Sequence, residues 1–282
     1  MAAAKLPPSQ QLAWVGYEEC RVGNARFTCT GAFDWTRRMG INHLVVVKSR
    51  ASIDRYVALI AEARPRTIVE LGIHRGGSTV LLERLARPDH IVALDIMEGP
   101  CPALESFIER HELADRFSIH YRIDQSDRTA LERIITEAGF EHGIDLVVDD
   151  ASHRYGLTRS SFTTLFPHVR PGGHFVIEDW AWAQSDAAGV LDESWTGTPS
   201  LGILVFECIS VNAAHRDVIA EVTVGPGFAT IVRGPAELDP ATFSLDDYLT
   251  EPSRALISRM LAAWPGEAPG AGAEGESADQ AP

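Results

Sequence analysis

The sequence predicts an α/β fold: a doubly wound, mostly parallel seven-stranded sheet with helices on both faces and a C-terminal antiparallel hairpin. Three observations carry this. Between about residues 50 and 180, short β-branched runs alternate with amphipathic stretches, as in parallel strands joined by crossover helices. The first run leads directly into a glycine-rich turn, "VELGIHRGGS". Near the end, "DVIAEVTVGPGFATIVRG" holds two alternating runs around Gly225-Pro226-Gly227, which reads as a hairpin.

Taken in order, residues 52–63 read as a helix before the first strand, 67–71. A helix at 78–85, a strand at 90–95 and a helix at 102–111 follow. Next come a strand at 117–122, a helix at 128–138, a strand at 144–149, a helix at 157–166 and a strand at 175–179. The apolar stretch 201–211 contains Glu207 and suits either the core or a homodimer contact. Residues 1–49 read as an irregular N-terminal cap or lid, 50–264 as the main domain, and 265–282 as a disordered acidic tail, because Gly, Ala, Pro and Glu cannot build a core.

Composition narrows the class. The 282 residues are 45% hydrophobic, enough for a large core. A net charge of −14 argues against nucleic acid and anionic membrane as partners, since phosphate binding needs clustered Lys and Arg. Cys20, Cys29, Cys101 and Cys208 form no CxxC pair, which suits a reducing compartment. The opening "MAAAKLPPSQQ" has no apolar signal stretch, and no run is long enough to span a bilayer. A cytoplasmic protein is expected.

The most informative segment is "IDLVVDDASHRYGLTRSSFTTLFPHVRPGGHFVIEDW". Its two strands end in Asp149-Asp150 and Glu178-Asp179. Parallel strands of one βαβ unit end on the same sheet edge, and neighbours lie about 4.8 Å apart, so these acids should converge. Close carboxylates repel unless a cation or proton lies among them. A hard divalent ion is the simplest cation, with His153 in reach of what it holds. Asp149 is open to three roles: ligand, helix N-cap, or acceptor for a ligand amine.

The glycine turn offers helix amides to a carboxylate or phosphate, or is simply a tight turn. His74 stands where a dinucleotide fingerprint wants its second glycine and is read as shaping the turn. Asp95 ends the second strand, where an acid can accept both ribose hydroxyls, and "IDQSD" at 123–127 follows the third, where an adenine edge meets a doubly wound sheet. Together these strand ends read as a nucleoside site. Trp180 and Trp182 can stack on a sugar or pack, and Tyr155 and Arg159 face either the site or solvent.

These residues resemble the class I S-adenosylmethionine-dependent methyltransferases, and more narrowly the metal-dependent sugar O-methyltransferases of macrolide glycosides and mycobacterial polysaccharides, a group that shades into cephalosporin-hydroxylase-like proteins. The resemblance rests on "VVDDASH" followed by "SFTTLFPHVRPGGHFVIEDW". It implies Asp150, Glu178 and Asp179 as ligands of Mg²⁺ or Mn²⁺ and His153 as catalytic base. It implies cofactor contacts from Glu70, Gly72, Gly76, Gly77, Ser78, Asp124, Gln125 and Ser126, with Asp95 and Asp149 beside them. The implied acceptor is a small-molecule or oligosaccharide hydroxyl. Two other readings stay open: a different metal enzyme on the same scaffold, such as a hydroxylase or hydrolase, and a noncatalytic nucleoside-binding module.

Overall fold

The computed structural model describes residues 7, 10–31, 39–40, 42–140, 142–181 and 198–264. Trp182 and the acidic tail fall outside them. The central sheet has the order β10-β11-β9-β8-β5-β6-β7. Its parallel strands are β5 (Thr67–Leu71), β6 (His90–Asp95), β7 (Phe117–Tyr121), β8 (Ile144–Asp149) and β9 (Val169–Glu178). The hairpin strands β10 (Ile219–Val224) and β11 (Phe228–Arg233) pair antiparallel at one edge. Sheet and hairpin are as the sequence predicts. Because β5 has β6 on one side and β8 on the other, the chain reverses its winding there, and the crevice at that switch point is where open α/β sheets bind ligands.

Helices cover both faces and make two cores. On one face, α1 (Arg50–Ala63), α2 (Gly77–Ala86) and α3 (Pro102–Arg110) bring Ile53, Ile60, Val80, Leu85, Leu104 and Phe107 against Ile68, Ile91 and Val148. On the other, α4 (Arg128–Ala138), α5 (Tyr155–Leu165), α6 (Gly202–Ala214) and α7 (Glu251–Ala262) bring Leu131, Phe162, Leu204, Cys208 and Ile257 against Val69, Val147 and Phe175. Ser49 caps α1 by accepting from Ser52 N, and Asp127 caps α4 by accepting from Ala130 N.

One expectation is corrected. The N-terminal segment is not irregular: β1 (Leu12–Trp14), β2 (Glu19–Val22), β3 (Ala25–Cys29) and β4 (His43–Val46) form a second sheet, antiparallel except for the β3–β4 pair. Strands of three to five residues show too few alternations to read from sequence. Cys20, Val22, Phe27, Leu44 and Val46 are buried in the same core as α1–α3. The apolar stretch near residue 201 is α6, whose Ile203, Leu204, Val205, Cys208 and Val211 are buried in the core.

Candidate active site

Register alone brings the strand-end acids together. Asp149 of β8 stands opposite Ile177 of β9, so Asp150 and Glu178, one residue further along each strand, emerge side by side. Asp150 N donates to Leu71 O at 2.9 Å, which ties this edge to the turn after β5. There the backbone turns sharply: Gly72 lies at φ 95°, His74 at 48°, His153 at 55° and Asp179 at 48°. Left-handed conformations of non-glycine residues are strained and gather at functional sites. Three of these four are not glycine.

The turns point their side chains into a cavity of about 740 Å³ along the carboxyl edge of the sheet, a size that suits a small ligand. Of the sequence-predicted site residues, Gly72, Gly77, Ser78, Asp95, Asp124, Gln125, Asp150, His153, Glu178 and Asp179 line it. Glu70, Gly76, Ser126 and Asp149 are not among the lining residues. Ile96 lines the same cavity, yet its side chain is 70% exposed, so it offers an uncovered apolar surface that a flat ring would cover.

Within the cavity, Asp150, His153 and Asp179 each place a ligand atom within 4.8 Å of the others. His153 Nε2 lies 3.9 Å from Asp150 Oδ1 and 3.9 Å from Asp179 Oδ2. Two carboxylates and an imidazole are hard or borderline donors, so this trio fits a divalent cation chemically. Glu178 stands apart from the expectation that groups it with them. Its Oε1 accepts from Lys48 Nζ at 2.6 Å and from the Tyr56 hydroxyl at 2.6 Å. Lys48 Nζ also donates to Asp150 Oδ2 at 2.5 Å.

Sequence reasoning missed Lys48 and Tyr56 entirely. Lys48 follows β4 and is buried. Burial disfavours its ammonium, but the Asp150 and Glu178 carboxylates outweigh this and hold its pKa above the ordinary lysine value. Burial is also the largest influence on Glu178, pushing its carboxyl up; the charge of Asp150 adds to this and Lys48 opposes it.

Several predicted contacts turn out to organise the cavity from behind. Asp95 accepts from the backbone of Ile73 at 2.7 Å and His74 at 2.8 Å through Oδ2, and from Met97 N at 2.9 Å through Oδ1. It clamps the glycine turn, and a carboxylate's further lone pairs leave room for a hydroxyl. Asp124 Oδ1 accepts from Ser126 N and Oγ, both at 2.7 Å, which turns Ser126 inward. Gly76, at φ 78°, packs so that a Cβ there would lie 2.7 Å from Leu104 Cβ. Glu70 is wholly buried; the hydroxyls of Thr79 and Ser78 stand near it without full hydrogen-bond geometry, and burial pushes its carboxyl up to about 7.

Asp149 does not cap α5, whose N-cap is Arg154. It is buried and accepts from Ser161 Oγ and from Gln125 Nε2, while Gln125 Oε1 accepts from Ser152 N at 2.8 Å. Asp149 thus holds Gln125, and Gln125 holds the loop carrying His153. Trp180 packs against the core and donates to Gly225 O at 3.0 Å. Tyr155 and Arg159 turn away from the cavity to Glu207 of α6.

Burial pushes the Asp149 carboxyl up to about 6, against the Ser161 hydrogen bond and the pull of His153. A folded-state value above the unfolded one means stability fully present below about pH 4 and lost as pH rises to about 6. The loss from this group is roughly 3 kcal/mol, at about 1.36 kcal/mol per pH unit. Asp149→Asn should therefore gain on the parent in melting temperature between pH 4.5 and pH 7. Parallel curves in thermal melts followed by circular dichroism would show that burial does not act on this carboxyl as described.

Comparison with known proteins gives a family match over part of the chain. Residues 69–180 match the family described as "Methyltransferase domain". The mycinamicin VI 2''-O-methyltransferase of Micromonospora griseorubida is 37% identical over 106 residues, 37% of this chain and 25% of that protein. A tetracenomycin-pathway rhamnosyl 3'-O-methyltransferase of Streptomyces olivaceus is 30% identical over 175 residues, 59% of this chain and 40% of that protein. The chain thus matches less than half the length of either relative. Among solved structures, a putative caffeoyl-CoA O-methyltransferase from Staphylococcus aureus has a TM-score of 0.50 at 12% identity, covering 67% of this chain and 86% of that one. It shares the fold.

Proposed function

We propose, from the premise that residues 69–180 form a methyltransferase domain, that this chain transfers a methyl group from S-adenosylmethionine to a hydroxyl of a saccharide or glycoside with the help of a divalent metal. The observation that carries the reading is the convergence of Asp150, His153 and Asp179 at the cavity edge beside the turn after β5. The relatives point the same way, being named O-methyltransferases of mycinamicin VI and of a rhamnosyl tetracenomycin-C. One solved relative, which bears 28% identity at a TM-score of 0.47 and covers 64% of this chain and 49% of its own, is titled as a complex with Mg, S-adenosylhomocysteine and mycinamycin VI.

The division of labour follows from the geometry. Asp95, Asp124 and the Ile96 surface would take the nucleoside, and the turn from Gly72 to Ser78 the amino-acid end. Asp150 and Asp179 would hold Mg²⁺ or Mn²⁺, with Glu178 behind them. Bound there, the ion supplies Lewis acidity to an acceptor hydroxyl. His153, near both carboxylates, takes the hydroxyl proton on Nε2, a role that contributes about 10² to 10⁴ in rate. The walls align oxygen and methyl, which supplies several kcal/mol more. The N-terminal segment lends Gly31, Val45, Val46, Val47 and Lys48 to one wall, consistent with a cap over the acceptor. Among the described residues no helix is long and apolar enough to cross a membrane, and the buried free thiols agree with work in the cytosol.

Labelled S-adenosylmethionine and a panel of deoxysugar and mannosyl glycosides test the reading: labelled product is expected with Mg²⁺ and is lost with chelator. Absence of both S-adenosylhomocysteine binding by calorimetry and labelled product would overturn it. Hydroxylase or hydrolase chemistry yields product without label.

The equal 3.9 Å distances from His153 Nε2 to both carboxylates carry a second reading, in which it is a third ligand and not the base. For His153→Ala we expect kcat to fall about 100-fold or more with Mn²⁺ affinity kept within a few fold. A parallel loss of Mn²⁺ affinity makes His153 a ligand instead.

A further inference from the structure

We propose that Lys48 is a built-in cation that competes with the divalent metal for the acid cluster and so sets how weakly this chain holds it. The proposal rests on the metal-assisted reading above.

The geometry comes first. Lys48 Nζ lies 2.5 Å from Asp150 Oδ2 and 2.6 Å from Glu178 Oε1. A small dication sits about 2.0 to 2.1 Å from its oxygens. An ion drawing on both of those oxygens would need the volume Nζ now fills. The remaining face of the cluster, Asp150 Oδ1 with His153 and Asp179, can take an ion while Lys48 stays, but the two positive charges then share Asp150.

Either arrangement costs the metal affinity. Displacing Lys48 strands an ammonium whose side chain is only 5% exposed; retaining it places like charges a few ångströms apart in a partly dry cavity, where Coulomb repulsion is poorly screened.

Lys48 also has little freedom to retreat. It follows β4 and precedes Ser49, the cap of α1. The β4 backbone is wedged onto the start of α2, where a Cβ on Gly77 would come within 1.9 Å of Val45 O. Movement of the ammonium is thus limited to its own side chain. Tyr56, also bonded to Glu178 Oε1, helps keep that carboxylate turned toward Lys48.

The test is Mn²⁺ binding, followed by electron paramagnetic resonance of the full chain, in the parent, Lys48→Met and Lys48→Gln. Both variants should bind Mn²⁺ at least about tenfold more tightly than the parent, and Mn²⁺ should raise their melting temperature more than the parent's. Binding by the variants with none by the parent would support the same conclusion. Equal or weaker binding in both folded variants would overturn it, because a lysine that only braces the carboxylates would, once removed, leave them less able to hold an ion. Binding by none of the three overturns it as well, and with it the metal half of the proposed function. Calorimetry with S-adenosylhomocysteine on the same samples confirms folded cofactor sites and shows whether the methyl-transfer half still holds.

Discussion

Asp179→Asn is expected to lower methyl transfer by about 10² to 10³-fold while leaving the fold intact. Asp179 is the most exposed of the three converging groups, with 57% of its side chain accessible, so the protein does not depend on it for packing. Its φ of 48° is one that asparagine tolerates well, and the amide preserves the carboxylate's shape. Only the charge changes. A metal's Lewis acidity is worth several kcal/mol, and each 1.36 kcal/mol is tenfold in rate, which gives the range. The measurement is kcat/KM with labelled cofactor across Mg²⁺ concentrations, with Mn²⁺ affinity measured alongside. Near-parental turnover with chelator present would remove Asp179 from metal binding.

Gly77→Val should destabilise the protein by about 3 kcal/mol or more, lowering the melting temperature on the order of 5 to 10 °C. Gly77 lies outside the left-handed region, so backbone strain is not the reason. An added Cβ would meet Val45 O at 1.9 Å and Val46 Cγ2 at 3.1 Å, and backbone cannot step aside as a flexible side chain can. Gly99→Ala is the control: nothing lies within 4 Å of its Cβ position, and a change within about 0.5 kcal/mol is expected. Equal melting temperatures for Gly77→Val and the parent would mean that β4 does not press on α2 as described.

What the sequence made legible was local. Five parallel strands, their helices and the hairpin each announce themselves within about ten residues, and the acid pairs sit at strand ends whose pairing follows from the βαβ rule. What stayed hidden is non-local. Lys48 meets Asp150 across 102 residues and Glu178 across 130, and its own signal was a single lysine ending the apolar run "LVVVK". Tyr56 reads as one more apolar face residue of α1. Asp149 is held by its burial and by a serine twelve residues on, and a strand-end position reveals neither. Gly76 and Gly77 read as leaving room for a ligand or as a tight turn, and in the fold their close approaches are to Leu104 and Val45. A glycine's need for space is visible in sequence; what occupies that space is not.

The sharing of one core by the N-terminal sheet and α1–α3 bears on how this protein can be cut or recombined. A fragment starting at residue 50 would uncover Ile53, Ile60, Val80 and Phe107 to water and shed the lysine from its acid nest, so it should clump rather than fold into a smaller domain. Grafting a foreign N-terminal sheet onto this domain would need the seam at Val45 and Gly77 to be transplanted as a matched pair.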